Sequence, residues 1–74
     1  MNNTVFIQTM CENIRTLRLR EHLTIENMAQ RLGIDREQLQ KLEDGILPEA
    51  MTVEMLVRLE KEFDVSLKEI FLPL

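Results

Sequence analysis

Cys11 and His22 are the only cysteine and the only histidine in this 74-residue chain, so they are its main candidates for nucleophilic catalysis or metal binding. They stand far apart in the sequence and lack the paired spacing of zinc ligands. No glycine-rich loop is present that would hold a phosphate group. Acidic pairs such as Glu60 and Asp64 fall on a helix surface, where carboxylates are usually solvated. The sequence therefore predicts no enzyme, metal site, cofactor or small-molecule substrate.

A second group of side chains has the chemistry to read the edges of DNA bases. Leu39 and Leu42 mark the apolar side of a short predicted helix. The opposite side of that helix is polar and holds Arg36, Glu37, Gln40 and Lys41. Arginine and lysine suit the acceptors of guanine, glutamine suits adenine, and glutamate accepts from cytosine. The alternative is that these residues form an ordinary solvated helix face.

Four repeated start signals predict the helices that carry these side chains. Each has a small polar residue at a candidate N-cap, an apolar residue before it and another further along, which is the pattern of a cap with a hydrophobic staple. The four sets are Leu23-Thr24 with Met28, Ile34-Asp35 with Leu39, Met51-Thr52 with Leu56, and Val65-Ser66 with Ile70. Two of these caps also predict capping boxes, which pair Asp35 with Gln38 and Ser66 with Glu69.

The apolar residues recur at helical spacing, and no segment alternates in the way that a strand does. We therefore predict an all-α chain with helices at residues 5–20, 25–32, 36–44, 53–63 and 67–72. The inner side of the first helix is expected to hold Phe6, Met10, Ile14 and Leu17. No apolar run approaches the length of a membrane span, and the start of the chain does not read as a signal peptide.

The short link between the second and third helices predicts a tight corner. Gly33 suits a left-handed helix end, and Ala29 is small enough for the third helix to approach closely. This is the geometry of a helix-turn-helix, in which the second of the two helices projects outward.

Blocks along the chain resemble the Cro/phage-repressor (Xre-like) helix-turn-helix family. The block at 23–34 reads LTIENMAQRLGI, and further matching blocks lie at 14–18, 39–45, 48, 52–56 and 65–71. The resemblance implies a compact five-helix, lambda-repressor-like DNA-binding domain over residues 1–74, with a helix-turn-helix core at 24–45. It also implies a homodimer that binds double-stranded DNA at two half-sites about one helical turn apart.

The resemblance also implies roles for individual residues. Arg18 and Glu43 are expected to form a partly buried ion pair between the first and third helices, although both could instead be solvated surface charges. We expect the DNA backbone to be contacted by Thr24, Arg15 and Arg31.

Several residues depart from the family pattern in ways that oppose phosphate binding. The family often has glutamine where Ile25 stands, Lys or Arg where Ile46 and Leu47 stand, and asparagine where Asp44 stands. The net charge of the whole chain is −4. Ile25, Ile46 and Leu47 are therefore candidates for an exposed apolar patch that binds a protein partner, unless the loop hides the last two.

We thus expect a cytoplasmic, sequence-specific DNA-binding regulator of transcription that acts as a repressor. The alternative is a protein-interaction module that kept the fold and lost DNA binding, or an antitoxin-like regulator that binds both DNA and a protein. Residues 5–7 and 71–74 are candidate dimer surfaces, or they close the core of the monomer.

Overall fold

A computed structural model of the chain describes residues 4–46 and 52–73, and within these ranges it contains five α-helices and no strand. The helices are α1 (Thr4–Arg20), α2 (Ile25–Leu32), α3 (Arg36–Glu43), α4 (Val53–Phe63) and α5 (Leu67–Ile70). The predicted all-α fold with five helices is confirmed. The predicted bounds of α2 and α4 are also confirmed, whereas α3 ends one residue and α5 two residues earlier than predicted. No helix among the described residues has the length and apolar character needed to cross a bilayer.

Side-chain caps begin three of the helices. The hydroxyl of Thr24 accepts from the N–H of Asn27 at 3.1 Å, and that of Thr52 accepts from the N–H of Met55 at 3.3 Å. Ser66 and Glu69 form a capping box at the start of α5. Each cap satisfies N–H groups that have no partner within the helix.

The capping box predicted at the start of α3 is wrong. Asp35 has the extended backbone of an N-cap residue, but its carboxylate makes no cap hydrogen bond. Gln38 is half-buried, and its side-chain oxygen has no hydrogen-bond partner among the described residues. The sequence pattern identifies the right cap position, but the side chains do not close the reciprocal bonds.

The core is built from one apolar side of each helix. α2 packs against both α3 and α4, while α1 packs against α3 and α5. The large buried side chains are Met10, Ile14, Leu17, Met28, Leu32, Leu39, Leu42, Met55, Leu59 and Ile70. Phe6 was predicted to lie on the inner side of α1, but 49% of it is exposed. It lies on the first turn of α1, one turn before the buried Met10.

A buried asparagine on α1 links this helix to α5 by hydrogen bonds. The side-chain amide of Asn13 donates to the carbonyl oxygens of Ile70 at 2.6 Å and of Leu72 at 2.7 Å. The carbonyl of Ile70 ends α5 and that of Leu72 lies two residues beyond it, so neither has a partner within the helix. The contact closes the core at its C-terminal end, and no sequence pattern indicated it.

Candidate nucleic-acid interface

The corner between α2 and α3 depends on a left-handed residue. Gly33 has φ +73°, and its N–H bonds the carbonyl of Gln30 at 3.2 Å. The N–H of Ile34 bonds the carbonyl of Ala29 at 3.0 Å. These two bonds satisfy carbonyls at the end of α2 and turn the chain sharply, as glycine at this position allows. Ala29 is buried, and its small side chain lets α3 approach α2.

An ion pair holds the far end of α3 against α1. Arg18 donates through Nε to Oε2 of Glu43 at 2.7 Å, and through Nη2 to Oε1 at 2.9 Å. Its Nη1 donates to the carbonyl of Leu23 at 3.1 Å. The side chains of Arg18 and Glu43 are only 14% and 4% exposed. The hydrogen bonds to Glu43 raise the pKa of Arg18 above its ordinary value, and burial opposes that rise. α3 therefore has a fixed position on the core.

The side of α3 that faces away from the core is polar and exposed. It presents Arg36, Glu37, Gln40 and Lys41 to solvent. Two of these side chains bond to carboxylates of the same chain. Nη1 of Arg36 lies 3.2 Å from Oε1 of Glu26, and Nε2 of Gln40 donates to Oδ1 of Asp44 at 3.3 Å. The helix is thus packed on the core by its apolar side and presents groups outward whose chemistry suits contact with base edges.

Comparison with protein families agrees with this geometry. The family model described as helix-turn-helix, of the Cro and phage-repressor type, matches residues 14–70. The chain belongs to this helix-turn-helix family. Membership supports a DNA-binding regulatory role in general, and the matched segment includes α2, the corner and α3. No curated protein and no solved structure matched the chain.

The residues expected to contact the DNA backbone lie at different places on the helix-turn-helix domain. Thr24 is exposed at the start of α2, and it borders an open cavity of about 280 Å³ together with Ile25, Glu26 and Arg36. The structure thus brings Thr24 close to the first residue of α3. Arg15 and Arg31 are exposed on α1 and α2, and neither forms an ion pair with a described residue.

The apolar patch expected on the helix-turn-helix is only partly present in the described residues. Ile25 is half-buried and packs against the core, whereas Ile46 is 56% exposed after the end of α3. Leu47, the third expected member, lies outside the described residues. Ile25 therefore contributes less exposed apolar surface than the sequence suggested.

The residues considered for catalysis or metal binding have other surroundings. Cys11 is buried in the core, where burial, with a smaller contribution from Glu12, raises the pKa of its thiol. His22 is exposed in the turn after α1 at φ +56°. Glu60 accepts from the N–H of Leu67 at 3.2 Å, so it helps to begin α5. Among residues 4–46 and 52–73, no three His, Cys, Asp or Glu side chains cluster as metal ligands do.

Sequence reasoning missed Glu26 as a residue of this interface. It lies ten positions before Arg36, and the two meet only because the corner turns the start of α3 toward the start of α2. A signal was available, since the predicted helix-turn-helix places these two helix starts near each other.

Proposed function

We propose that this protein is a sequence-specific regulator of transcription, a repressor that binds double-stranded DNA with α3 in the major groove. The observation that carries the proposal is that α3 is held on the core by one side and exposed on the other. Leu39 and Leu42 are fully buried beneath it, and Arg18 holds Glu43 at its end, while the opposite side faces solvent. A reading helix needs this rigidity because base-edge hydrogen bonds depend on position.

The side chains of this face divide into two kinds of contact. For bases, Arg36 and Lys41 suit guanine acceptors, Gln40 suits adenine and Glu37 suits the amino group of cytosine. For the phosphate backbone, we propose Thr24, Arg15 and Arg31, which fix the position of the protein on the duplex.

The distribution of charge supports this assignment despite the net charge of −4. Six of the nine basic residues of the chain lie in α1, α2 and α3. Seven of the thirteen acidic residues lie between residues 4 and 46, so this part is close to neutral and most of the acidic surplus comes later in the chain. Phosphate therefore meets less repulsion from residues 4–46 as a whole than the net charge suggests, although α3 and its caps hold two cations and more anions.

We further propose that the regulator acts as a homodimer in the cytoplasm. Val5 and Phe6 on α1 are 59% and 49% exposed, and Leu72 after α5 is also exposed. Exposed apolar side chains of this size often mark a protein interface. Replacing Phe6 with Glu should convert a dimer into a monomer in sedimentation equilibrium. The α3 variant Lys41→Ala, as a control, should leave the dimer intact.

Selection from a random duplex library at low salt tests the DNA-binding proposal. We expect an inverted repeat with half-sites about one helical turn apart, and an affinity that falls steeply as salt rises. Arg36→Ala and Lys41→Ala should weaken binding, whereas Lys68→Ala, an exposed charge on α5, should change it little. Failure to enrich any duplex, or binding with no salt dependence, would contradict the proposal.

A protein-interaction module, including an antitoxin-like regulator, is the second candidate. It is favoured by the exposure of Ile46 and by the carboxylates that engage Arg36 and Gln40. A module that has lost DNA binding would tolerate Arg36→Ala and Lys41→Ala, and the duplex selection would enrich nothing. It would instead lose its partner when Ile25 or Ile46 is replaced by Ser. An antitoxin-like regulator would still enrich a duplex and would be sensitive to both sets of substitutions.

A further inference from the structure

Two side chains on the outward-facing side of α3, Arg36 and Gln40, donate hydrogen bonds to carboxylates of the same chain. Glu26 on α2 reaches across the corner to Arg36, and both side chains are exposed, at 71% and 68%. Asp44, the C-cap residue of α3, accepts from the amide of Gln40 one turn earlier. Each contact occupies one donor of a side chain proposed to read bases, so a duplex that uses this donor displaces the carboxylate.

We propose that Glu26 and Asp44 are specificity determinants that suppress binding of Arg36 and Gln40 to the wrong DNA. The inference rests on the DNA-binding function proposed above. Glu26 acts through Arg36, and Asp44 acts through Gln40, so both are positioning residues for the base-reading side chains.

The physical reason is the difference between a phosphate and a base edge as a replacement for a carboxylate. A single phosphate oxygen offers Arg36 one acceptor in place of another, while Glu26 repels the incoming phosphate. Guanine offers O6 and N7 together, which match the guanidinium fork, and adenine offers an acceptor and a donor to a glutamine amide. Breaking the carboxylate contact costs the same in both complexes and cancels from the ratio of their affinities. The discrimination comes from the repulsion, which weakens a complex in which Arg36 holds a phosphate more than one in which it holds a neutral base edge.

The position of Asp44 argues that this carboxylate is not there to stabilise the fold. An anion at the C-terminal end of a helix interacts unfavourably with the helix dipole, so the charge of Asp44 does not stabilise α3. Glu26 differs, since it lies in the first turn of α2, where an anion is favourable. The stability of each variant must accordingly be measured beside its DNA binding.

The test compares affinities for a selected duplex and for a scrambled duplex of the same length and composition. Glu26→Gln and Asp44→Asn remove the charge and keep the shape. We expect each to raise affinity for the scrambled duplex by roughly fivefold, the effect of one nearby charge in water. Affinity for the selected duplex should rise by less, so that the ratio of the two affinities falls. Glu62→Gln is the matched control, because it changes the net charge equally from an exposed position on α4.

A double-mutant cycle decides whether Glu26 acts through Arg36. In an Arg36→Ala background, Glu26→Gln should leave the specificity ratio unchanged. The inference is overturned if Glu26→Gln and Asp44→Asn change the ratio no more than Glu62→Gln does, or if the effect of Glu26→Gln persists without Arg36. If the unsubstituted protein itself selects no duplex, the proposed function fails and the inference fails with it. That outcome is distinct, because it is seen before any variant is made.

Discussion

Arg18 and Glu43 form two parallel hydrogen bonds of 2.7 and 2.9 Å that connect α1 to the C-terminal end of α3. The third donor of Arg18 binds the carbonyl of Leu23, just before α2 begins. One side chain thus bonds to the end of α3 and to the segment that leads into α2. Because Glu43 is almost fully buried, its charge depends on Arg18 for compensation.

Breaking this pair should destabilise the protein strongly. Arg18→Ala leaves a nearly buried carboxylate without its partner, which costs on the order of 3 kcal/mol. For a domain of this size, that loss lowers the thermal midpoint by roughly 12–24 °C. Differential scanning calorimetry at neutral pH measures it.

The control for this pair is the exposed contact between Arg58 and Glu54, which are 3.7 Å apart. Glu54→Ala should change the free energy of unfolding by no more than about 0.5 kcal/mol, as exposed pairs do. Equal effects of Arg18→Ala and Glu54→Ala would contradict the assignment of Arg18 and Glu43 as a structural pair.

Asn13 should be sensitive to a change that keeps its branched shape but removes its amide. Asn13→Leu removes the donor that serves the carbonyls of Ile70 and Leu72, and each carbonyl left without a partner costs about 1–3 kcal/mol. Urea unfolding should show this loss. Asn27→Leu, at an exposed position on α2, should have little effect by comparison. A neutral Asn13→Leu would mean that water replaces the amide at α5.

Gly33 and Gly45 provide a matched pair for the cost of a left-handed backbone. Both have positive φ, at +73° and +83°, so an alanine at either position costs about 1–2 kcal/mol. A Cβ at Gly33 would also lie 2.9 Å from Nη1 of Arg58, whereas one at Gly45 meets no described atom within 4 Å.

Gly33→Ala should therefore be somewhat more destabilising than Gly45→Ala in urea unfolding. The difference should disappear in an Arg58→Ala background, because the guanidinium is the group that must move. A difference that survives this substitution would place the added cost in the backbone of the corner itself.

Cys11 should make stability fall in mild alkali. Burial raises the pKa of the folded thiol above its ordinary value of 9.0, so above about pH 9 the unfolded chain releases this proton while the folded protein retains it. The free energy of unfolding then falls as pH rises. Cys11→Ala should flatten this dependence between about pH 9 and 10, a range below the lysine pKa and, since the chain has no tyrosine, free of phenol titration. An unchanged slope in Cys11→Ala would contradict this assignment.

The helices and their starts could be predicted from the sequence because the signals that set them are local. Thr24, Thr52 and Ser66 cap helices through bonds to residues three positions later. The left-handed Gly33 is also a local property, because only the absence of a side chain makes that backbone favourable. The predicted corner and the direction in which α3 faces follow from these signals.

Two wrong predictions show what local sequence signals do not determine. Asp35 occupies a cap position with the extended backbone of an N-cap residue, yet its side chain makes no cap bond. Phe6 continues the apolar spacing of α1, yet it lies half-exposed on the first turn of that helix. Periodicity describes the side of a helix, whereas burial also needs a neighbouring element at that height.

An all-α helix-turn-helix chain and the polar side of α3 follow from the sequence alone, because caps, glycine turns and apolar spacing act over a few residues. Which charges meet depends on how the helices pack. Glu26 reaches Arg36, and Asn13 reaches the end of α5, across separations that no periodic pattern encodes. Such contacts join residues that are distant in the sequence, so whether a carboxylate contacts a polar side chain of α3 is a property of the folded corner.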